Sequence, residues 1–252
     1  MTDVKIAEGF SQLENFCKGF KSSYNPGRAT LKIEALTAKK LEGTNAINKL
    51  IAAKTDHDDS INQCKQLFAT LPKVAASIMR VLEASGVSAE KLADARGYVK
   101  QMRGRSGSKK TVMAESPATG ATGATGATPA PAAPAGKPRS KQQLAYVSKA
   151  DWLAKLISAI ATEPQYAPNE ENLQVSSVSA YHQSLTDSIK RVSEKQVALS
   201  NARIEKNQIL YYDENSLCNV GRAVKKYVRG IYGPQSEHYT QLSKIRFVKK
   251  RK

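Results

Sequence analysis

Histidine, cysteine and tryptophan are scarce in this sequence: its 252 residues hold three histidines, three cysteines and one tryptophan. Cys17, Cys64 and Cys218 are odd in number and far apart. That spacing excludes a disulfide framework or a CxxC zinc site and makes a reducing, cytoplasmic setting the expectation. His57 lies in 56-DHDD-59 with Cys64 seven residues on. No second His or Cys stands at the four-residue spacing of a preformed zinc site, so no metal is expected and the residues read as a solvated polar break. His182 and His238 are isolated and read as surface histidines. No stretch approaches the roughly 18 apolar residues of a membrane span, which excludes integral membrane association. The opening MTDVKIAEGF lacks the apolar core of a secretory signal.

Catalytic motifs are missing as well. There is no nucleophile elbow, Walker loop, HExxH or GxGxxG, and no strand after which a glycine loop would sit. The pairs Glu170-Glu171 and Asp213-Glu214 are adjacent in sequence, which suits helix starts and turns better than acid–base work. No catalytic residue, cofactor or enzymatic activity is therefore expected.

What the chain does have is a sharp change of composition between Gly104 and Gln143. Within it, 116-SPATGATGATGATPAPAAPAGKPR-139 is built almost wholly from Ala, Thr, Gly and Pro. Such a segment buries too little apolar surface to offset its ordering entropy, and a disordered linker is expected over 104–143. As a flexible coil of about 36 residues it would reach roughly 30–35 Å.

The flanks of that linker look like copies. At an offset of 142 residues Tyr24, Pro26 and Leu31 fall on Tyr166, Pro168 and Leu173, and Ala38, Thr44 and Ile47 fall on Ala180, Thr186 and Ile189. Leu50 and Phe68 then meet Val192 and Leu210. The second copy gains four residues around 211-YYDE-214, after which Leu71, Val74, Ile78, Val81 and Leu82 meet Leu217, Val220, Val224, Tyr227 and Val228. One residue more brings Gly86 onto Gly233 and Glu90 onto Glu237. The shared spacing reads as a duplicated unit.

Each copy reads as helical throughout. Asn172 to Leu210 contains neither Gly nor Pro, and Thr30 to Leu71 is interrupted only by Gly43. Positions 47, 50, 54, 57, 61, 64, 68 and 71 alternate three and four apart as a heptad stripe with polar breaks at Lys54 and His57. One continuous helix of about 40 residues, some 60 Å long, and two antiparallel helices broken near 54-KTDHDD-59 are both compatible with this. The second copy's lack of an acidic knot favours continuity. Shorter helices are expected over Val4–Phe20, Leu71–Ala84, Ser88–Met102, Leu217–Tyr232 and Glu237–Ile245, with Asn169 capping a helix start beside Glu170 and Glu171. The fold class is thus all-α: two tandem antiparallel helical bundles, 1–103 and 144–247, each built around a long helix and joined by the linker, with a basic tail at 248–252.

The segments 166-YAPNEENL-173, 201-NARIEKNQILYYDE-214, 225-KKYVRGIYG-233 and 236-SEHYTQLSKIRF-247 resemble a family of uncharacterised bacterial proteins. The resemblance covers mainly 145–248, with the first copy a more divergent match. It implies a duplicated all-helical architecture and carries no activity.

Charge is the remaining feature. Lys and Arg number 39 against 22 acids, a net +17. Residues 1–100 carry +4, 101–144 carry +6 and 145–252 carry +7. Lys100, Arg103, Arg105, Lys109 and Lys110 close the first copy, and Lys244, Arg246, Lys249, Lys250, Arg251 and Lys252 close the second. Over Leu217–Tyr232 the apolar residues Leu217, Val220, Val224, Tyr227, Val228 and Ile231 define a buried face. Arg222, Lys225, Lys226 and Arg229 then project away from it as one basic stripe, where the first copy has Ala76, Met79, Arg80 and Glu83. Solubility explains such a stripe in part. The sharper expectation is a non-catalytic protein that contacts nucleic acid phosphates through these cations. Scarce aromatics and no helix-turn-helix argue against base readout. The alternative is a structural or adaptor protein that assembles through helix–helix contacts, its charge attracting an acidic protein partner. A peripheral membrane role lacks a basic helix with exposed bulky aromatics.

Overall fold

A computed structural model describes residues 3–103 and 141–248. The stretch read as a linker lies outside the described residues up to 140, as does the tail beyond Val248. Among the described residues there are seven α-helices and no strand. They are α1 (Asp3–Gly19), α2 (Ile33–Ala84), α3 (Ala89–Arg103), α4 (Lys141–Ala161), α5 (Val175–Asn207), α6 (Leu217–Tyr232) and α7 (Glu237–Ser243). α4 begins three residues inside the stretch read as linker.

The long helix of the first copy is continuous, and longer than the sequence indicates. α2 runs for 52 residues through both the acidic knot and Pro72, about 78 Å at 1.5 Å per residue. No new helix begins at Leu71. Pro72 is exposed, so its ring meets solvent, and the helix tolerates the loss of the one donor it removes, that to the Phe68 carbonyl. In the second copy the same path is broken. Gln208–Tyr212 form a single π-helical turn, closed by the Asp213 N–H donating to the Gln208 carbonyl at 3.1 Å. After it the chain turns at 213–216 into α6. A π turn absorbs surplus residues within a helix, and it falls where the four extra residues were read.

The entry to each long helix is built alike. A 3₁₀ turn, Ala29–Leu31 or Glu171–Leu173, precedes the helix. The Tyr24 hydroxyl donates to the Leu31 carbonyl at 2.7 Å, and the Tyr166 hydroxyl donates to the Leu173 carbonyl at 2.8 Å. The 142-residue offset therefore relates the two turns bond for bond. No side chain caps the second turn at Glu170, so the expected Asn169 cap is not made there. Gly86 and Gly233, aligned in sequence, both take positive φ, +73° and +86°. That region suits glycine and ends each helix.

The chain divides into two compact units, Met1–Asp59 with Glu194–Lys252, and Ser60–Ser193. In the first, Ile6, Phe10, Leu13 and Cys17 of α1 share a core with Val220, Val224 and Val228 of α6 and Leu242 of α7. In the second, Ala95, Val99 and Met102 of α3 pack with Leu153, Leu156 and Ile160 of α4, over Phe68, Leu71, Ile78 and Leu82 of α2. Each core thus draws on both halves of the sequence, a different division from bundles at 1–103 and 144–247. The physical reason lies in α2. The helix before it packs on its first turns, where Thr37 meets Glu14, and the helix after it packs on its last, where Arg96 meets Glu83. A short helix cannot cover 52 residues of apolar stripe, so each end finds its other partners in the opposite half.

Candidate nucleic-acid interface

α6 has no acidic residue, and its charges separate into two roles. Val220, Val224 and Val228 are buried, as the three-and-four spacing requires. Ile231 is not: it is 59% exposed. In that last turn the inward place goes to Tyr232, one turn beyond Val228, which packs against Phe20 at 5.8 Å between ring centroids.

Beyond α7 the irregular segment 244–248 lies along α6 as a strap. Ile245 and Phe247 are buried, whereas Lys244, Arg246 and Val248 are exposed. The Phe247 ring sits on Gly221, where an added Cβ would stand 2.7 Å from the ring, and meets Phe10 edge-on at 6.3 Å. Each of the two buried side chains contributes about 1.5–3 kcal/mol.

Two cations of the predicted stripe hold this strap. Arg222 donates from Nε and Nη2 to the Phe247 carbonyl at 3.0 and 2.9 Å. Lys225 Nζ donates to the carbonyls of Ser243 at 3.1 Å and Ile245 at 2.8 Å. Burial pushes the Lys225 ammonium below its ordinary value. Carbonyls that no helix or sheet serves are satisfied here by charged donors, which are stronger than neutral ones. Packing therefore accounts for Arg222 and Lys225, contrary to the reading that set all four charges outside it. Lys226 and Arg229 do point to solvent, with the Arg229 guanidinium 5.9 Å from the centre of the Tyr239 ring.

The exposed cations of this edge are thus Lys226 and Arg229 on the helix and Lys244 and Arg246 on the strap. None has an ion-pair partner among the described residues. Elsewhere exposed lysines do pair: Lys49 with Glu205 at 2.5 Å and Lys195 with Asp56 at 2.7 Å. In the other unit Lys100 and Arg103 are exposed at the end of α3. Arg105, Lys109, Lys110, Lys249, Lys250, Arg251 and Lys252 lie outside the described residues.

Two charged clusters escaped the sequence reading. Glu14 is fully buried in α1. Lys18 Nζ lies 2.6 Å from its Oε1 and Lys40 Nζ 2.5 Å from its Oε2, and Thr37 donates to Oε1 at 2.6 Å. Burial alone would raise the carboxyl; the hydrogen bonds of Lys18, Lys40 and Thr37 outweigh it and hold it at about 2. Lys206, also buried, lies with its Nζ 2.5 Å from Asp3 Oδ2, and the Tyr211 hydroxyl donates to Asp3 Oδ1 at 2.5 Å. Lys206 was detectable: at the 142 offset it occupies the buried place of Cys64 on the apolar stripe.

Among the described residues no three His, Cys, Asp or Glu side chains gather as metal ligands. His57 Nδ1 stands 3.6 Å from Asp58 Oδ1. His238 is not a plain surface residue, because its ring stacks on Phe20 and meets Tyr232 edge-on, both at 4.6 Å. His182 is half-buried. The cysteines are buried, and burial pushes the Cys17 thiol up to about 12. No helix among the described residues is long and apolar enough to cross a membrane.

Fold and site together define an all-helical protein with a cationic edge formed by one helix and a clasped strap. Comparison of the chain with protein-family models, curated proteins and solved structures finds no match.

Proposed function

We propose that this chain is a non-catalytic helical binding protein that holds nucleic acid through its phosphates, without reading base sequence, in the cytoplasm. The observation that supports it is the edge of α6 and the strap, where Lys226, Arg229, Lys244 and Arg246 are exposed without an acidic partner among the described residues. A net charge of +17 adds long-range attraction for a polyanion. Duplication of an ancestral helical unit, in the manner of the bacterial family it resembles, belongs to the same reading. Titration of labelled duplex DNA and duplex RNA at rising salt tests it. Binding that weakens linearly in log K against log salt is the expected result, and replacing the four cations by alanine should flatten that line. No binding at low salt refutes it.

A second reading, a structural or adaptor protein, has its own support. Leu41 and Ile51 on α2 and Val197 and Ile204 on α5 are each more than half exposed, and Val197 and Ile204 stand at heptad spacing. Its partner would be another helix, or an acidic protein. A chain that stays monomeric at high concentration and captures no protein after nuclease treatment eliminates this reading.

A further inference from the structure

Resting on the phosphate-binding reading, we infer a division of labour within the basic edge. Lys226, Arg229, Lys244 and Arg246 are the phosphate contacts, Arg222 and Lys225 are positioning residues that hold two of them in place, and the ligand is a double-stranded nucleic acid. Arg222 and Lys225 direct their donors at the carbonyls of Ser243, Ile245 and Phe247. With those donors engaged, the strap alternates inward Ile245 and Phe247 with outward Lys244 and Arg246. The clasp thereby sets two strap cations beside the two helix cations, and the ligand meets a preformed edge.

The aromatics decide for a duplex over a single strand. Non-specific single-strand binders stack bases on exposed rings. Here Phe247 lies on Gly221 and against Phe10, Tyr227 meets Tyr24 edge-on at 5.5 Å, and Tyr239 lies beneath Arg229. Each ring of the edge is already engaged, so an unstacked base gains nothing that a duplex backbone lacks.

The test uses the full chain, a labelled DNA duplex, and the corresponding single strand, each titrated over a range of NaCl. Each lost phosphate contact lowers the slope of log K against log salt by about 0.9. Lys226→Ala and Arg229→Ala should each do so. Gly221→Ala removes no charge, but its Cβ displaces the Phe247 ring; it should lower the slope by about 1.8, through loss of Lys244 and Arg246 together. Phe247→Ala releases the strap by another route and should match it, with circular dichroism showing retained helix in whichever variant folds.

The strap can also be stripped of its charge. Lys244→Ala with Arg246→Ala keeps Ile245 and Phe247 in place and should lower the slope by about 1.8. Arg222→Gln added to that double variant should leave its slope alone, because no strap cation is left to position. Two results overturn the division of labour while duplex binding persists: no slope change in Gly221→Ala and Phe247→Ala, or a further fall of about 0.9 for Arg222→Gln in the double variant. Equal affinity for the single strand overturns the choice of ligand. Absence of duplex binding by the unaltered chain removes the phosphate reading itself and this inference with it.

Discussion

Glu14 is where a single side chain has most at stake. The apolar faces of α1 and α4 match at an offset of 143: Phe10, Leu13 and Cys17 are buried as Leu153, Leu156 and Ile160 are. In that register Glu14 stands where the second copy has Ile157. Its carboxyl is held near 2 against an ordinary 4.5. A lowered folded-state value means that the stabilisation is complete above about pH 4.5 and disappears as the pH falls through about 2. The shift corresponds to about 3 kcal/mol. Glu14→Ala is expected to cost about that much at pH 7 and to flatten the acid limb of stability, measured by urea unfolding from pH 7 to 2. Glu14→Leu should cost less, because Lys18 and Lys40 retain 45% and 31% side-chain exposure and can turn to water. Cys17 acts at the other extreme. Its thiol, raised by burial to about 12 from 9.0, favours the folded state fully below pH 9, and that contribution is lost as the pH rises towards 12. Cys17→Ala should therefore weaken the alkaline fall in melting temperature, while costing about 1–2 kcal/mol at neutral pH for the cavity left behind.

At the scale of elements, the paired turns before α2 and α5 carry the plainest correspondence between the copies. Tyr24 and Tyr166 each bridge seven residues to a buried carbonyl. Removing either hydroxyl leaves that carbonyl without its donor, so Tyr24→Phe and Tyr166→Phe should each cost about 1–2 kcal/mol in chemical denaturation. Near-equal costs are expected, since the two turns share one geometry. These turns were legible in the sequence because Tyr-x-Pro and a leucine seven residues on recur intact. The joint between α5 and α6 was legible as four surplus residues, though not as a π turn, since the number of extra residues does not specify how a helix absorbs them. The roles of Arg222 and Lys225 were not legible. Helical periodicity tells which way a side chain leaves its own helix, whereas their acceptors are carbonyls some twenty residues later in an irregular segment. Lys226 and Arg229 are exposed, as the helical periodicity indicates, with Arg229 over the Tyr239 ring.

Across the whole molecule, the helical class and most of the helices were readable because apolar spacing is local, whereas α4 and the unbroken run of α2 past Leu71 were not. Which helix shares a core with which is not local. The two halves share their apolar spacing, so a face of the first can be satisfied by its own half or by the equivalent face of the other, and the sequence pattern is the same in both cases. The structure chooses the second: α1 shares its core with α6 and α7, and α3 shares its core with α4. A half made alone would therefore expose surfaces that the full chain buries. Residues 1–103 would leave Phe10, Leu13 and Met102 without their partners, and residues 141–252 would leave Leu153, Leu156 and Val224 in the same position. Exposed apolar faces of that extent lead to loose structure or aggregation. Each half expressed alone should show reduced helix and bind a hydrophobic dye. Mixed in equal amounts, the halves should recover the circular dichroism of the full chain and elute together as one complex of one copy each. Independent tandem bundles would give the opposite result, with each half folded cooperatively alone and no association on mixing.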